Sequence, residues 1–184
     1  MAVKSRMKDP EDILWDRDLL NFLDELQELV SDFIESLTIR TEHHRNGQIF
    51  RSHPEYRQEG KWRDWVMVDW GEDGQQPAEI WCFVIIEGID EGRAGLHFGG
   101  IDLKDGTYAV VESASLSTDE KQRSMSDIFV PYEKEVASNK NGVVTGRNLY
   151  LADVNAFVSP LCMIPDIGGK GGNKYLQVKL LVTP

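Results

Sequence analysis

Seven consecutive apolar residues, Ile80-Trp81-Cys82-Phe83-Val84-Ile85-Ile86, set the first constraint on what this chain can fold into. A membrane-crossing helix needs about 20 apolar residues, so this run is far too short to be one. Read as a strand it is apolar on both faces. Both faces must then be covered, which places it at the centre of a sheet. No other stretch approaches the length of a helical membrane span.

The residues around it are punctuated in the same style. Runs rich in Val, Ile, Tyr, Phe and Trp alternate with Gly, Asp, Asn and Pro after residue 38. This spacing predicts strands over Gln48–Arg51, Trp65–Trp70, Ile80–Glu87, Ala94–Asp102, Tyr108–Ser113, Asp127–Pro131, Leu149–Ala156 and Tyr175–Val182. Alternation in the second of these puts Val66, Val68 and Trp70 on one face and Trp65, Met67 and Asp69 on the other. The polar segment Gly71–Pro77 is of hairpin length. Short strands joined by tight turns, with almost no helix among them, predict a small barrel or curled sheet, with a sandwich as the second choice.

The N-terminal segment follows a different period. From Pro10 to Leu37 there is no internal Gly or Pro. Leu19, Phe22, Leu23, Leu26, Leu29, Val30, Phe33 and Leu37 recur at spacings of three and four, which is the stripe of an amphipathic helix. Asp9-Pro10-Glu11-Asp12 is a helix start: Asp9 as N-cap, Pro10 in the first turn, acids at the positive end of the dipole. The expected division is an acidic helix over residues 1–39 and a β-rich domain over 40–184. The stripe either packs on its own domain or engages a partner, one with a basic rim.

Charge separates the same two regions. Residues 9–37 hold ten acids and one base, whereas the whole chain has 31 acids, 20 bases and a net charge of −11. That sign excludes attraction to an anionic membrane surface and argues against general nucleic-acid binding, which runs on Lys and Arg. Residues 40–63 are the exception. Arg40, His43, His44, Arg45, Arg51, His53, Arg57, Lys61 and Arg63 are interrupted only by Glu42, Glu55 and Glu59. This stretch is either the electrostatic partner of the acidic helix or a phosphate-facing patch, with Tyr56 and Trp62 as stacking surfaces.

The catalytic motifs are weak. His43 and His44 are adjacent, so on a strand they point to opposite faces and make a poor joint metal site; no metal and no cofactor are expected. Gly168-Gly169-Lys170-Gly171 lacks the Ser/Thr and the following helix of a phosphate-binding loop, and reads as a hairpin loop. Cys82 lies in the most apolar strand, where a thiol behaves as a small hydrophobe. Cys82 and Cys162 match no zinc or redox spacing, and the N-terminus has no apolar stretch of a secretory signal, so an intracellular, reducing setting is expected. No nucleophile motif is present, and the chain is read as a non-enzyme. A hydrolytic site assembled from Asp64, His43 or His53 and a further acid stays open as an alternative.

The aromatics carry more. Trp62, Trp65, Trp70 and Trp81 fall within 20 residues. Most should be core. The sharper reading makes Trp62, Trp65 and Tyr108 an aromatic cage, with Arg57 and Arg63 beside it, for a peptide or cationic ligand.

The block His53-Pro54-Glu55-Tyr56-Arg57, Gly60-Lys61-Trp62, Asp64-Trp65, Val68-x-Trp70, Pro77-Ala78-x-Ile80 and Phe83 resembles a segment of uncharacterised proteins tied to transposable elements in eukaryotic algae and related protists. Tyr108-Ala109-Val110-Val111-Glu112-Ser113 and Pro165-Asp166 fit the same likeness, which covers residues 48–184 and leaves out the acidic helix. It implies a nuclear setting and no activity. The hairpin Asp64-Trp65-Val66-x-Val68-x-Trp70, polar turn, Pro77-Ala78-x-Ile80 is also similar to the opening of SH3-like barrels in chromatin readers of the bromo-adjacent homology and tudor types. The fold expectation is therefore mainly β, an SH3-like or related small β-barrel with excursions, preceded by one long helix. The functional expectation is a non-catalytic module that recognises a protein segment. A nucleic-acid-binding accessory domain working through residues 40–63 is the alternative.

Overall fold

The computed structural model describes residues 17–53, 62–89, 95–117, 129–134, 136–138, 144–165 and 174–178. The fold is mainly β, with one helix near the N-terminus and antiparallel pairing in every register described. The helix is α1 (Arg17–Val30). The strands are β1 (Ser36–Arg40), β2 (Glu42–Arg45), β3 (Gln48–His53), β4 (Trp62–Arg63), β5 (Trp65–Asp69), β6 (Gln75–Glu87), β7 (His97–Phe98) and β8 (Ile101–Asp102). They continue as β9 (Gly106–Leu116), β10 (Phe129–Lys134), β11 (Val136–Ser138), β12 (Val144–Arg147), β13 (Leu149–Asp153), β14 (Phe157–Leu161), β15 (Met163–Pro165) and β16 (Lys174–Val178). Hydrogen-bonded neighbours in the largest sheet read β14-β5-β6-β9-β10-β16-β15, with β1 also on β6 and β13 on β9.

Two compact units divide the chain. The first comprises Met1–Asp64, Ile80–Val111 and Leu149–Ala156; the second comprises Trp65–Glu79, Glu112–Asn148 and Phe157–Pro184. The long strands β6 and β9 each contribute residues to both.

In the first unit the leucine stripe of α1 finds its cover. Leu19, Leu23, Leu26 and Val30 are at most 5% exposed and pack with Trp81, Cys82, Val84 and Ile86 of β6, Tyr108 and Val110 of β9, and Leu151 of β13. Burying four such side chains is worth roughly 6–12 kcal/mol before entropy is counted, so the stripe of the helix is covered within this unit. The helix is also shorter than the periodicity predicts. It ends at Val30, Phe33 N–H donates to the Val30 carbonyl, and Ser36–Arg40 is a strand with Leu37 opposite Ile86. Leu37 continues the apolar stripe, but the β-branched Thr38 and Ile39 beside it gain more from the edge of β6 than the few tenths of a kcal/mol that helix propensity offers. The Asp9-Pro10 start lies outside the described residues.

β6 is the central strand expected of it: Ile80, Cys82, Phe83, Val84 and Ile86 are fully buried. β2 and β3 form a hairpin closed by Asn46 (φ 50°) and Gly47 (φ 77°), two left-handed residues that match the right-handed strand twist. β4 joins β3 with Ser52 opposite Arg63.

In the second unit β5 and the start of β6 form the predicted hairpin, with Trp65 opposite Glu79 and Asp69 opposite Gln75. Its polar turn contains a single 3₁₀ turn, Gly71–Asp73, held by Gly71 N–H donating to Asp69 Oδ1. β14 lies on the other edge of β5. β10 pairs with the end of β9 and with β16, and β15 closes that group on β16.

Candidate functional site

The second unit contains a buried group of opposite charges. Lys134, at the end of β10, is 5% exposed, and Glu112, on β9, is completely buried. The Lys134 ammonium lies 2.6 Å from Glu79 Oε2 and 2.8 Å from Glu112 Oε2. The other oxygen of Glu112 accepts from Arg147, Nη1 to Oε1 being 3.2 Å. Two rings complete the surroundings. The Lys134 ammonium is 5.2 Å from the Trp65 ring centre and 4.9 Å from that of Tyr175, and the two ring centres are 4.8 Å apart. Burial pulls the Lys134 pKa down, but Glu79 and Glu112 outweigh it, and the result is raised above the ordinary lysine value. An amine held so firmly as ammonium is no nucleophile at neutral pH.

The strand registers explain why these side chains meet. Trp65 and Glu79 stand directly opposite each other on the β5–β6 hairpin, and Lys134 stands opposite Ala114 on β9. Alternation from Ala114 puts Glu112 on the face of Lys134. That parity is the one sequence signal for the group: Glu112 shares a strand face with Val110 and Ala114, both fully buried. A carboxylate at a core position must find a cation. No motif spacing connects it to Lys134 or Arg147.

The predicted cage residues occupy other positions. Trp65 is 6% exposed and Tyr108 1% exposed, so neither ring is displayed at a surface. Trp65 packs on Tyr175 in the second unit. Tyr108 sits in the core of the first, where its hydroxyl accepts from Lys104 N–H at 2.9 Å and donates to the Lys104 carbonyl at 3.0 Å. Burial pushes the Tyr108 hydroxyl pKa up, against the pull of the Lys104 bond. Strand alternation predicts Trp65 outward; it is buried because Tyr175 packs against its ring. The Arg63 guanidinium lies 3.4 Å from the centre of the Trp81 ring. Arg57 and the side chain of Trp62 lie outside the described residues.

Among the described residues of the basic stretch 40–63, several have neighbours within the first unit. Arg45 donates to the Asn155 carbonyl, Arg51 stands opposite Glu42, and Arg63 covers Trp81. His43 faces inward with its ring centre 5.4 Å from that of Phe83, whereas His44 faces outward, 3.8 Å from Glu42. The two histidines therefore diverge. Among the described residues no three His, Cys, Asp or Glu side chains are grouped to hold a metal ion. Asp64 accepts from the Arg51 backbone N–H at 2.7 Å. Burial raises the Cys82 thiol pKa far above its usual range, so it stays a neutral packing group.

The chain matches no family model, no curated protein and no solved structure.

Proposed function

We propose that this chain is a non-catalytic interaction module that recognises a protein segment through side chains on its second unit. One observation carries the reading. Pro131 of β10, Leu176 of β16 and Ile164 of β15 stand in register across three strands, hence on one face of the sheet. Phe129 shares that face, two residues from Pro131. Ile164 is 42% exposed and Phe129 38%. Leu176 is half-buried and Pro131 buried, so Phe129 and Ile164 are the exposed part of this face, and exposed apolar side chains on one face mark surfaces that partners cover.

The sheet margins favour side-chain recognition over strand addition. β14 and β15 end the strand order, and each contains a proline, Pro160 and Pro165, that has no N–H to offer an added strand. The charged group around Lys134 supports a non-catalytic reading, because its charges are satisfied by one another. The transposable-element and nuclear context rests on the resemblance of residues 48–184 and forms part of the proposal.

Peptides selected by display on the full chain provide the test. Calorimetry should show Phe129→Ser and Ile164→Ser binding the selected peptides about tenfold more weakly, or about 1.4 kcal/mol, with melting temperatures close to wild type. Undiminished binding by both variants would overturn the assignment of this face. Binding of short DNA or RNA that weakens steeply with salt would favour the nucleic-acid alternative instead.

A further inference from the structure

The surroundings of Lys134 have a composition that the recognition face does not use. Two aromatic rings and two carboxylates enclose one ammonium group, which is how proteins capture organic cations: ring faces attract the charge and carboxylates neutralise it. Each wall is held by a different strand. Trp65 comes from β5, Glu79 from β6, Glu112 from β9 and Tyr175 from β16. Backbone pairing positions these walls without the lysine side chain, since Trp65 is in register with Glu79 and Tyr132 with Tyr175. The residue opposite Lys134 is the small, fully buried Ala114.

We propose that Trp65, Tyr175, Glu79 and Glu112 form a binding cage for a primary ammonium, which Lys134 occupies as an internal ligand and so keeps closed to external cations. The ligand class follows from the geometry. The ammonium donates to Glu79 at 2.6 Å, pairs with Glu112 across 2.8 Å, and has both ring centres within 5.2 Å. A quaternary ammonium has no donor for either carboxylate. A neutral alcohol of the same shape leaves two buried carboxylates facing one cation, Arg147.

Chemical rescue of full-length Lys134→Ala tests this. The atoms removed correspond to n-propylammonium. That amine should raise the melting temperature of Lys134→Ala saturably, on the order of 3–6 °C at about tenfold excess over its Kd, and leave wild type unchanged. Propan-1-ol and tetramethylammonium should give no comparable rise. The double variant Lys134→Ala with Glu112→Gln should lose the response. If Lys134→Ala does not fold alone, recovery of folded protein on dilution from urea is measured with each additive, and recovery with n-propylammonium alone supports the cage. Equal effects of n-propylammonium on variant and wild type, equal rescue by propan-1-ol, or no rescue in either format would overturn it.

Discussion

Replacing Glu112 by alanine removes the carboxylate that Lys134 and Arg147 share. In the native group two cations, Lys134 and Arg147, balance two anions, Glu79 and Glu112. Without Glu112 the group carries a net positive charge around a lysine whose side chain is 3% exposed. Breaking a buried pair in this way costs about 3–5 kcal/mol, because the remaining charge keeps its desolvation penalty and loses its partner. Against a typical total stability of about 5–15 kcal/mol that is a large share. Urea unfolding should therefore show the midpoint falling with an unchanged slope. Lys134 keeps Glu79 in that variant, so Lys134→Met in the same background removes Glu79's cation rather than an unpaired charge, and the double-mutant cycle reads the Lys134–Glu112 coupling directly. The alkaline limb gives an independent check. Lys134 has a folded pKa above its ordinary 10.5, so its contribution is complete below that value and disappears as pH rises through the folded pKa. In Glu112→Ala that alkaline loss should be smaller and be complete at lower pH. A cost under about 1 kcal/mol, the range of exposed pairs, would refute the account of a sealed, mutually dependent group.

His43 has its pKa lowered below 6.5 by burial, with Arg45 and His44 adding to the effect. The unfolded chain then takes up the proton first, so this contribution is present above about 6.5 and is lost as pH falls through the folded value. Urea stability should drop more steeply in wild type than in His43→Gln between about pH 7 and pH 5, and parallel curves would remove His43 from the account. Trp65→Ala should cost about 3–5 kcal/mol, read as a lower urea midpoint, because the ring is core and contacts both Tyr175 and Lys134. A nearly unchanged midpoint would return Trp65 to the surface role that strand alternation suggested.

Local periodicity alone determined the type of nearly every long element. The three-and-four spacing of Leu19, Leu23, Leu26 and Val30 specifies a helix that must bury one face, and the two-faced apolar run Ile80–Ile86 specifies a central strand. The sequence reading missed the β2–β3 hairpin, pointing only to a strand over Gln48–Arg51, although Asn46-Gly47 is the turn signal that could have found it. Where α1 stops was decided by tertiary contacts, since Leu37 continues the helical stripe and yet pairs with Ile86. Neighbours beyond the reach of sequence spacing decided the chemistry too. Trp65 looks like a cage residue for a foreign cation, and only the pairing of β9, β10 and β16 reveals that its cation is Lys134 of the same chain. Periodicity records which way a side chain points, because the backbone repeat is local. Charge partners 22 to 55 residues apart are set by strand register, which follows from how the whole sheet buries its apolar faces.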